Sequence, residues 1–216
     1  MEALSHAAYR RSVMRRLRAE EATLSEFEFV LVTIAIVAGF AISEILAGWS
    51  RPMVARGNAG YSSLRFFASL FLLFLTLRYI WMLWGVRSSE WHFVHFVLVL
   101  APMLLIALAA YVISMPEEAP ELDSTEIYFA RARPFFLLLV GVMISWTLYD
   151  WANLAVIQKA FAEEANWTVL ASRGVGVPAF LWLAFTKRRS HHWVVLAVAI
   201  GSLVYLSLQS LAALEG

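Results

Sequence analysis

The chain alternates long runs of apolar residues with short polar segments, and this pattern produces six runs. The runs lie at about residues 27–49, 64–85, 91–114, 134–157, 167–186 and 192–214. Each is near the roughly 20 residues that an α-helix needs to cross about 30 Å of hydrocarbon. Because the connections are short, consecutive helices should pack as antiparallel neighbours. The pattern predicts an all-α fold, a polytopic membrane helix bundle with six transmembrane helices.

The first 26 residues follow a different pattern, in which basic positions are interspersed with leucine, valine and methionine. The basic positions are Arg10, Arg11, Arg15, Arg16 and Arg18. In an amphipathic helix along the membrane surface, such arginines lie among anionic headgroups while the apolar side chains reach the acyl chains. A solvated basic tail is the alternative. We divide the chain into a basic amphipathic segment over 1–26 and a transmembrane domain over 27–216.

Composition excludes a soluble domain, because 61% of the 216 residues are hydrophobic, 15% are charged and the mean hydropathy is +0.70. The absence of cysteine removes disulfides and thiolate metal sites. A net charge of +1 argues against nucleic acid as a partner. The start of the chain lacks the pattern of a cleaved signal peptide, so we expect the first span itself to target the chain to the membrane.

The numbers of Lys and Arg residues on the two sides of the membrane are nearly equal, so they give little preference for either orientation. With the N-terminus inside, seven basic residues of the tail and loops lie inside and eight lie outside. A cytoplasmic N-terminus is favoured, because the densest basic cluster precedes the first span, which often dominates insertion. The acidic loop between the third and fourth runs then lies outside.

A weak internal repeat is a further feature of the pattern. A shift of 106 residues aligns residues 29–48 with 135–154 and places Glu44 on Asp150. Three spans per half would give a 3+3 inverted repeat, an arrangement common in transporters. Chance alignment of apolar segments is the alternative, since the register fails across the second and fifth runs.

Charged residues inside the runs are the candidate functional residues, because charge within a bilayer is costly and normally faces a partner in the protein interior. Counting residues from the span ends places Asp150, Arg173 and Arg78 in one layer, roughly 9 Å deep. His95 and Asn153 lie slightly shallower at the same end. A carboxylate between two guanidinium groups forms either part of an ion or solute pathway or a structural ion pair.

Two further features complete the candidate pathway. Glu44 belongs to the opposite half of the bundle, where it is either a protonatable site or a glutamate reaching interfacial water. Gly174, Gly176 and Pro178 follow Arg173 and predict a broken or kinked helix, since Pro178 removes a backbone hydrogen bond. The alternative is that the glycines allow close helix packing and the proline only a kink.

Catalytic and cofactor motifs are missing from the sequence. There is no Gly-x-Ser-x-Gly elbow, His-Glu-x-x-His motif or P-loop. His92 and His95 begin the third run, whereas His191 and His192 begin the sixth at the other membrane face, so the two pairs cannot ligate one haem. We therefore expect no catalytic residues, no metal and no cofactor, and the protein is not predicted to be an enzyme.

Two stretches resemble a group of bacterial six-span hypothetical membrane proteins. One is Ile127-Tyr128-Phe129-Ala130-Arg131-Ala132-Arg133-Pro134-Phe135-Phe136. The other is Phe27-Glu28-Phe29 leading to Glu44-Ile45-Leu46-Ala47-Gly48. The resemblance implies a multi-pass protein of the bacterial inner membrane, and it brings no activity and no functional residue with it.

The favoured function is a channel- or transporter-like bundle for an ion or small solute. The alternative is a non-catalytic structural or accessory subunit of a larger membrane complex, in which the charges only fix helix register. Expected partners are membrane lipids, whose anionic headgroups would contact the N-terminal basic segment. Further copies of the chain or other membrane subunits are also expected partners, and nucleic acid is not.

Overall fold

A computed structural model describes residues 26–54, 62–84, 93–115, 124–152 and 165–215. These residues form six helices: α1 (Glu26–Val54), α2 (Ser63–Trp84), α3 (Phe93–Ser114), α4 (Ser124–Ala152), α5 (Ala165–Phe185) and α6 (Arg189–Glu215). No strand occurs among the described residues. The all-α prediction is therefore confirmed at this level. The predicted amphipathic segment over 1–26 lies, apart from Glu26, outside the described residues.

Five of the helices are long and apolar enough to cross a membrane, namely α1, α2, α3, α4 and α6. α5 contributes a shorter apolar stretch, Gly174–Phe185, among the residues described for it. A helix satisfies all of its interior backbone groups within itself, which is why long apolar segments can enter hydrocarbon as helices. The chain is therefore a multi-pass membrane protein with at least five candidate spans.

The start of α4 differs from the sequence prediction. The apolar run was expected to begin at Pro134, but the helix begins at Ser124 and carries Pro134 in its interior. The additional turns have their own buried face, since Ile127, Tyr128 and Ala132 are all buried. Packing of that face outweighs the one backbone hydrogen bond that Pro134 cannot make. A proline next to an apolar run was therefore mistaken for the beginning of the helix.

α3 lies at the centre of the bundle and packs against α1, α2 and α4. Its face includes Ala107, Ala109 and Ala110, whose small side chains allow neighbouring helices to approach. α6 lies at the edge and packs mainly on α2, while α5 packs mainly on α4. Within the spans, 44% of the most apolar window of α3 is buried, against 11% for α6.

The predicted inverted repeat would make α3 and α6 equivalent, because each would end one half of the chain. Among the described residues the two helices differ in packing, since α3 is central and α6 peripheral. α1 packs closely on α3, whereas the described residues of α4 and α6 do not form a corresponding pair. The repeat is therefore not evident in the packing.

Candidate functional site

Three arginines converge on the C-terminal end of α3. Arg51 of α1 donates from Nη1 to the carbonyl oxygen of Ser114 at 2.6 Å. Arg65 of α2 donates from Nε to Ile113 O at 2.6 Å and from Nη2 to Met115 O at 2.7 Å. Arg131 of α4 also donates to Met115 O. We call these three side chains, with the carbonyls of residues 113–115, the α3 cap.

The α3 cap has a clear physical cause. The last carbonyls of a helix have no intrahelical donors, and the helix dipole makes this end negative, so cations are stabilised there. Arg65 is 5% exposed, which would be unfavourable for a guanidinium group without such acceptors. The α3 cap therefore ties α1, α2 and α4 to the end of the central helix. Sequence reasoning assigned these arginines only to the loops of one membrane face.

Glu44 lies at the same end of the bundle, in the half opposite Asp150 as its depth predicts. Its Oε2 is 4.0 Å from Nη2 of Arg51, two turns further along α1. One turn before Arg51, Gly48 contacts α3 so closely that an added Cβ would lie 2.9 Å from Ser114 Oγ. Glu44 is therefore next to the α3 cap, and the capping arginine is its nearest cation among the described residues.

At the other end of the bundle, polar and aromatic side chains connect α2, α3 and α4. The Tyr79 hydroxyl of α2 donates to Val99 O of α3, and the Tyr79 ring lies 4.9 Å from the Trp146 ring of α4. The His95 ring of α3 lies 6.4 Å from the Tyr149 ring of α4. Arg78 and Asp150 immediately adjoin two of these aromatic residues in sequence. We call Arg78, His95 and Asp150 the polar layer.

All three residues of the polar layer are half-buried, and each has interaction partners in the structure. The depth argument from the sequence thus placed them at one end, on three helices that pack against one another. Arg173 lies within α5, but its side chain is outside the described residues, as is all of Asn153. Contact between Asp150 and Arg173 remains a prediction.

The fifth run contains no interruption of the helix at the predicted position, and a kink at Pro178 stays a prediction. α5 continues as one α-helix through Gly174, Gly176 and Pro178. Gly174 and Pro178 are exposed on its surface, whereas Gly176 is half-buried, with its nearest contact to Met143 at 3.8 Å from an added Cβ. The helix continues for a physical reason. An interruption would leave several backbone groups without hydrogen bonds, whereas Pro178 within a continuous helix leaves only one carbonyl without its usual donor.

A buried histidine lies at the start of α6, in the pair His191-His192 that begins the sixth run. His192, in the first turn of α6, is fully buried, with its Nδ1 2.9 Å from the Tyr128 hydroxyl and its Nε2 3.0 Å from Thr186 O. A carbonyl can only accept, so Nε2 carries the proton and Nδ1 accepts the hydrogen bond of Tyr128. The adjacent pair His191-His192 was visible in the sequence, but the partner on α4 was not.

Aromatic rings surround this histidine and fill the space between α2, α4, α5 and α6. Phe136 lies 5.4 Å from the His192 ring and 5.9 Å from Phe180, which lies 6.0 Å from Phe71. Phe129 lies 5.1 Å from His192 on another side. Edge and offset contacts of this kind stabilise a packed interior. This part of the bundle is therefore closed in the structure.

In the described part of the chain, no group of three His, Asp or Glu side chains is placed to hold a metal ion. Apolar helices of spanning length, a central helix capped by arginines and a half-buried polar layer together define a multi-pass α-helical membrane protein. Comparison with protein-family profiles, curated proteins and solved structures finds no match for this chain.

Proposed function

We propose that the protein is a channel- or transporter-like bundle that moves an ion or small solute and receives it at the polar layer. The observation that carries this proposal is that Arg78, His95 and Asp150 are half-buried on three mutually packed helices, beside the contacts of Tyr79 and His95 with neighbouring helices. Ionisable groups within membrane spans are unfavourable unless they serve a partner or a pathway. This burial of charge supports the proposal, and the transport role is our inference.

The charge of the layer favours an anionic solute. Arg78 and Asp150 balance each other formally, and Arg173, placed at the same depth by the sequence, would add a second guanidinium group. The resulting excess positive charge suits a small anion that accepts hydrogen bonds from guanidinium groups. The closed aromatic packing around His192 supports a gated pathway rather than a permanently open pore. Such a gate would move the rings of Phe136 and Phe180.

For the membrane arrangement, we propose six spans with α5 as the additional one, in a bacterial inner membrane with the N-terminus in the cytoplasm. The densest cluster of basic residues precedes the first span, which often dominates insertion.

Flux measurements in proteoliposomes test the transport proposal. Uptake of small inorganic anions should exceed that of empty liposomes, and Asp150→Asn and Arg78→Gln should each change the uptake rate by about tenfold, because each alters the charge of the polar layer. Glu126→Gln is the matched control, since Glu126 is an exposed acid at the opposite end of the same helix. Uptake that equals the empty-liposome rate, or that responds equally to all three changes, would contradict the proposal.

A second candidate, an accessory subunit of a larger membrane complex, is favoured by the exposure of α6. Only 11% of its most apolar window is buried, and Gly201 on its surface has no atom within 4 Å of an added Cβ. Small residues on an exposed membrane helix allow a partner helix to approach closely. In this function the polar layer would only fix helix register.

Native mass spectrometry after mild extraction tests the accessory function. Gly201→Leu should dissociate a homo- or hetero-oligomer while leaving the monomer folded. Gly39→Leu is the matched control, because Gly39 is an exposed glycine on α1 that also has no neighbour within 4 Å of an added Cβ. A monomeric mass for the wild-type chain, or equal dissociation by both changes, would count against this function.

A further inference from the structure

The connection between α5 and α6 carries the largest exposed concentration of positive charge in the described part of the chain. Lys187, Arg188 and Arg189 are consecutive and all exposed. Arg133 of α4 is also exposed and lies with its Cζ 5.2 Å from the centre of the Phe185 ring, at the end of α5. We call these four side chains the basic turn.

The basic turn makes a few long hydrogen bonds and no ion pair among the described residues. Arg189 Nη2 lies 3.4 Å from Ser63 Oγ of α2, and the Arg188 backbone N–H donates to Thr186 Oγ1 at 3.4 Å. Among the described residues, the one ion pair given by the structure joins Arg51 to Glu44 and involves none of these four cations. Four positive charges therefore face outward with their hydrogen-bonding capacity largely unused.

An apolar stripe on α5 continues directly from the basic turn. Val175, Pro178, Trp182 and Phe185 are exposed, and their spacing places them on one side of the helix. Trp182 lies near the end of this stripe that adjoins the basic turn, and its Nε1 donates to His191 Nδ1 at 3.2 Å. A tryptophan at the end of a membrane span normally lies at the level of the lipid headgroups. Cationic side chains suited to a lipid headgroup and apolar side chains suited to an acyl chain are thus adjacent on one surface.

We propose that the basic turn and the α5 stripe form a binding site for an anionic phospholipid. The headgroup phosphate accepts hydrogen bonds from the guanidinium groups of Arg133, Arg188 and Arg189 and the ammonium group of Lys187. One acyl chain lies along Phe185, Trp182, Pro178 and Val175. One guanidinium group can donate two parallel hydrogen bonds to a phosphate group. Clustered cations at a membrane surface favour anionic lipids. The site lies at the opposite end of the bundle from the polar layer.

Fluorescence quenching of Trp182 by brominated lipid tests the site. The protein is placed in zwitterionic nanodiscs that contain either brominated phosphatidylglycerol or brominated phosphatidylcholine. The Trp182 contribution is the difference between the wild type and Trp182→Phe. We expect brominated phosphatidylglycerol to quench this contribution at an at least fivefold lower mole fraction than brominated phosphatidylcholine, a ratio of roughly the size that clustered cations produce. Equal quenching by the two lipids would overturn the proposal.

A matched pair of variants distinguishes lipid binding at this site from an effect of the protein's net charge. Replacing Arg133, Lys187, Arg188 and Arg189 together by Gln should abolish the preference for the anionic lipid at Trp182. Replacing Arg10, Arg11, Arg15 and Arg16 by Gln removes the same amount of charge elsewhere and should leave that preference intact. Equal losses in both variants would show a net-charge effect and overturn the site. The single change Arg133→Gln should reduce the preference for the anionic lipid without changing the thermal unfolding midpoint. This variant is the control for a folding defect in the fourfold variant.

Discussion

The α3 cap and the basic turn lie at the same end of the bundle and are both built from basic side chains, yet these side chains have different partners. Arg65 is buried and donates to two carbonyls, whereas Arg188 and Arg189 are exposed at the start of α6. The difference arises from α3, whose terminal carbonyls lack donors of their own and so engage nearby cations. Arginines that a topology count treats as equal therefore divide into those that donate to the carbonyls at the end of α3 and those that do not.

The largest effect on stability is expected when the buried cation, Arg65, is removed. Arg65→Met should lower the free energy of unfolding by about 3 kcal/mol, because the carbonyls of Ile113 and Met115 lose a charged donor. Unfolding by sodium dodecyl sulfate in mixed micelles measures the change. Arg65→Lys is the control, and it should lose less, since an ammonium group keeps the charge but not the fork geometry. A loss below about 1 kcal/mol for Arg65→Met would show that the α3 cap does not hold the fold.

The close approach of α1 to the capped end of α3 provides the next test. Gly48→Ala should cost about 1–3 kcal/mol, because the new Cβ would lie 2.9 Å from Ser114 Oγ and 3.2 Å from Ser114 Cα. Gly39→Ala, on the same helix with no neighbour within 4 Å, should be neutral or stabilising by up to about 1 kcal/mol. The same unfolding assay decides the point, and equal effects at the two glycines would contradict the packing.

The pair Tyr128 and His192 sharpens the comparison, because it is a buried polar contact at the same end without a formal charge. Tyr128→Phe and His192→Phe should each cost about 1–2 kcal/mol, since each leaves a buried polar atom without its partner. The double variant should cost about 1 kcal/mol less than the sum of the two. A double-mutant cycle of unfolding free energies measures this coupling, and strict additivity would argue that the hydrogen bond contributes nothing.

The smallest effect on stability is expected at the basic turn. Lys187→Gln combined with Arg188→Gln should change the free energy of unfolding by less than about 0.5 kcal/mol, because both side chains are exposed. Thermal unfolding in nanodiscs of zwitterionic lipid gives the measurement without interference from lipid binding. A loss comparable to that of Arg65→Met would remove the distinction between the two groups of cations.

The sequence predicted those parts of the structure that depend on local pattern. The apolar runs predicted the helices, and residue depth placed Arg78, His95 and Asp150 at one end because rise per residue is constant in a helix. The α3 cap could not be predicted, since Arg51 and Ser114 are 63 residues apart and the contact depends on which helices pack together. The burial of His192 was missed for the same reason, because its partner Tyr128 lies on α4, in turns that the Pro134 boundary had excluded.

The order of the chain gives the α3 cap a consequence for biosynthesis. Arg51 and Arg65 are translated before α3, whereas Arg131 is translated after it, and Met115 O accepts from both Arg65 and Arg131. Proteins emerge from the ribosome N-terminus first, so the end of α3 has two of its three guanidinium donors when it enters the membrane. The last donor arrives with the first turns of α4. The α3 cap can therefore be complete only after the first turns of α4 have been translated.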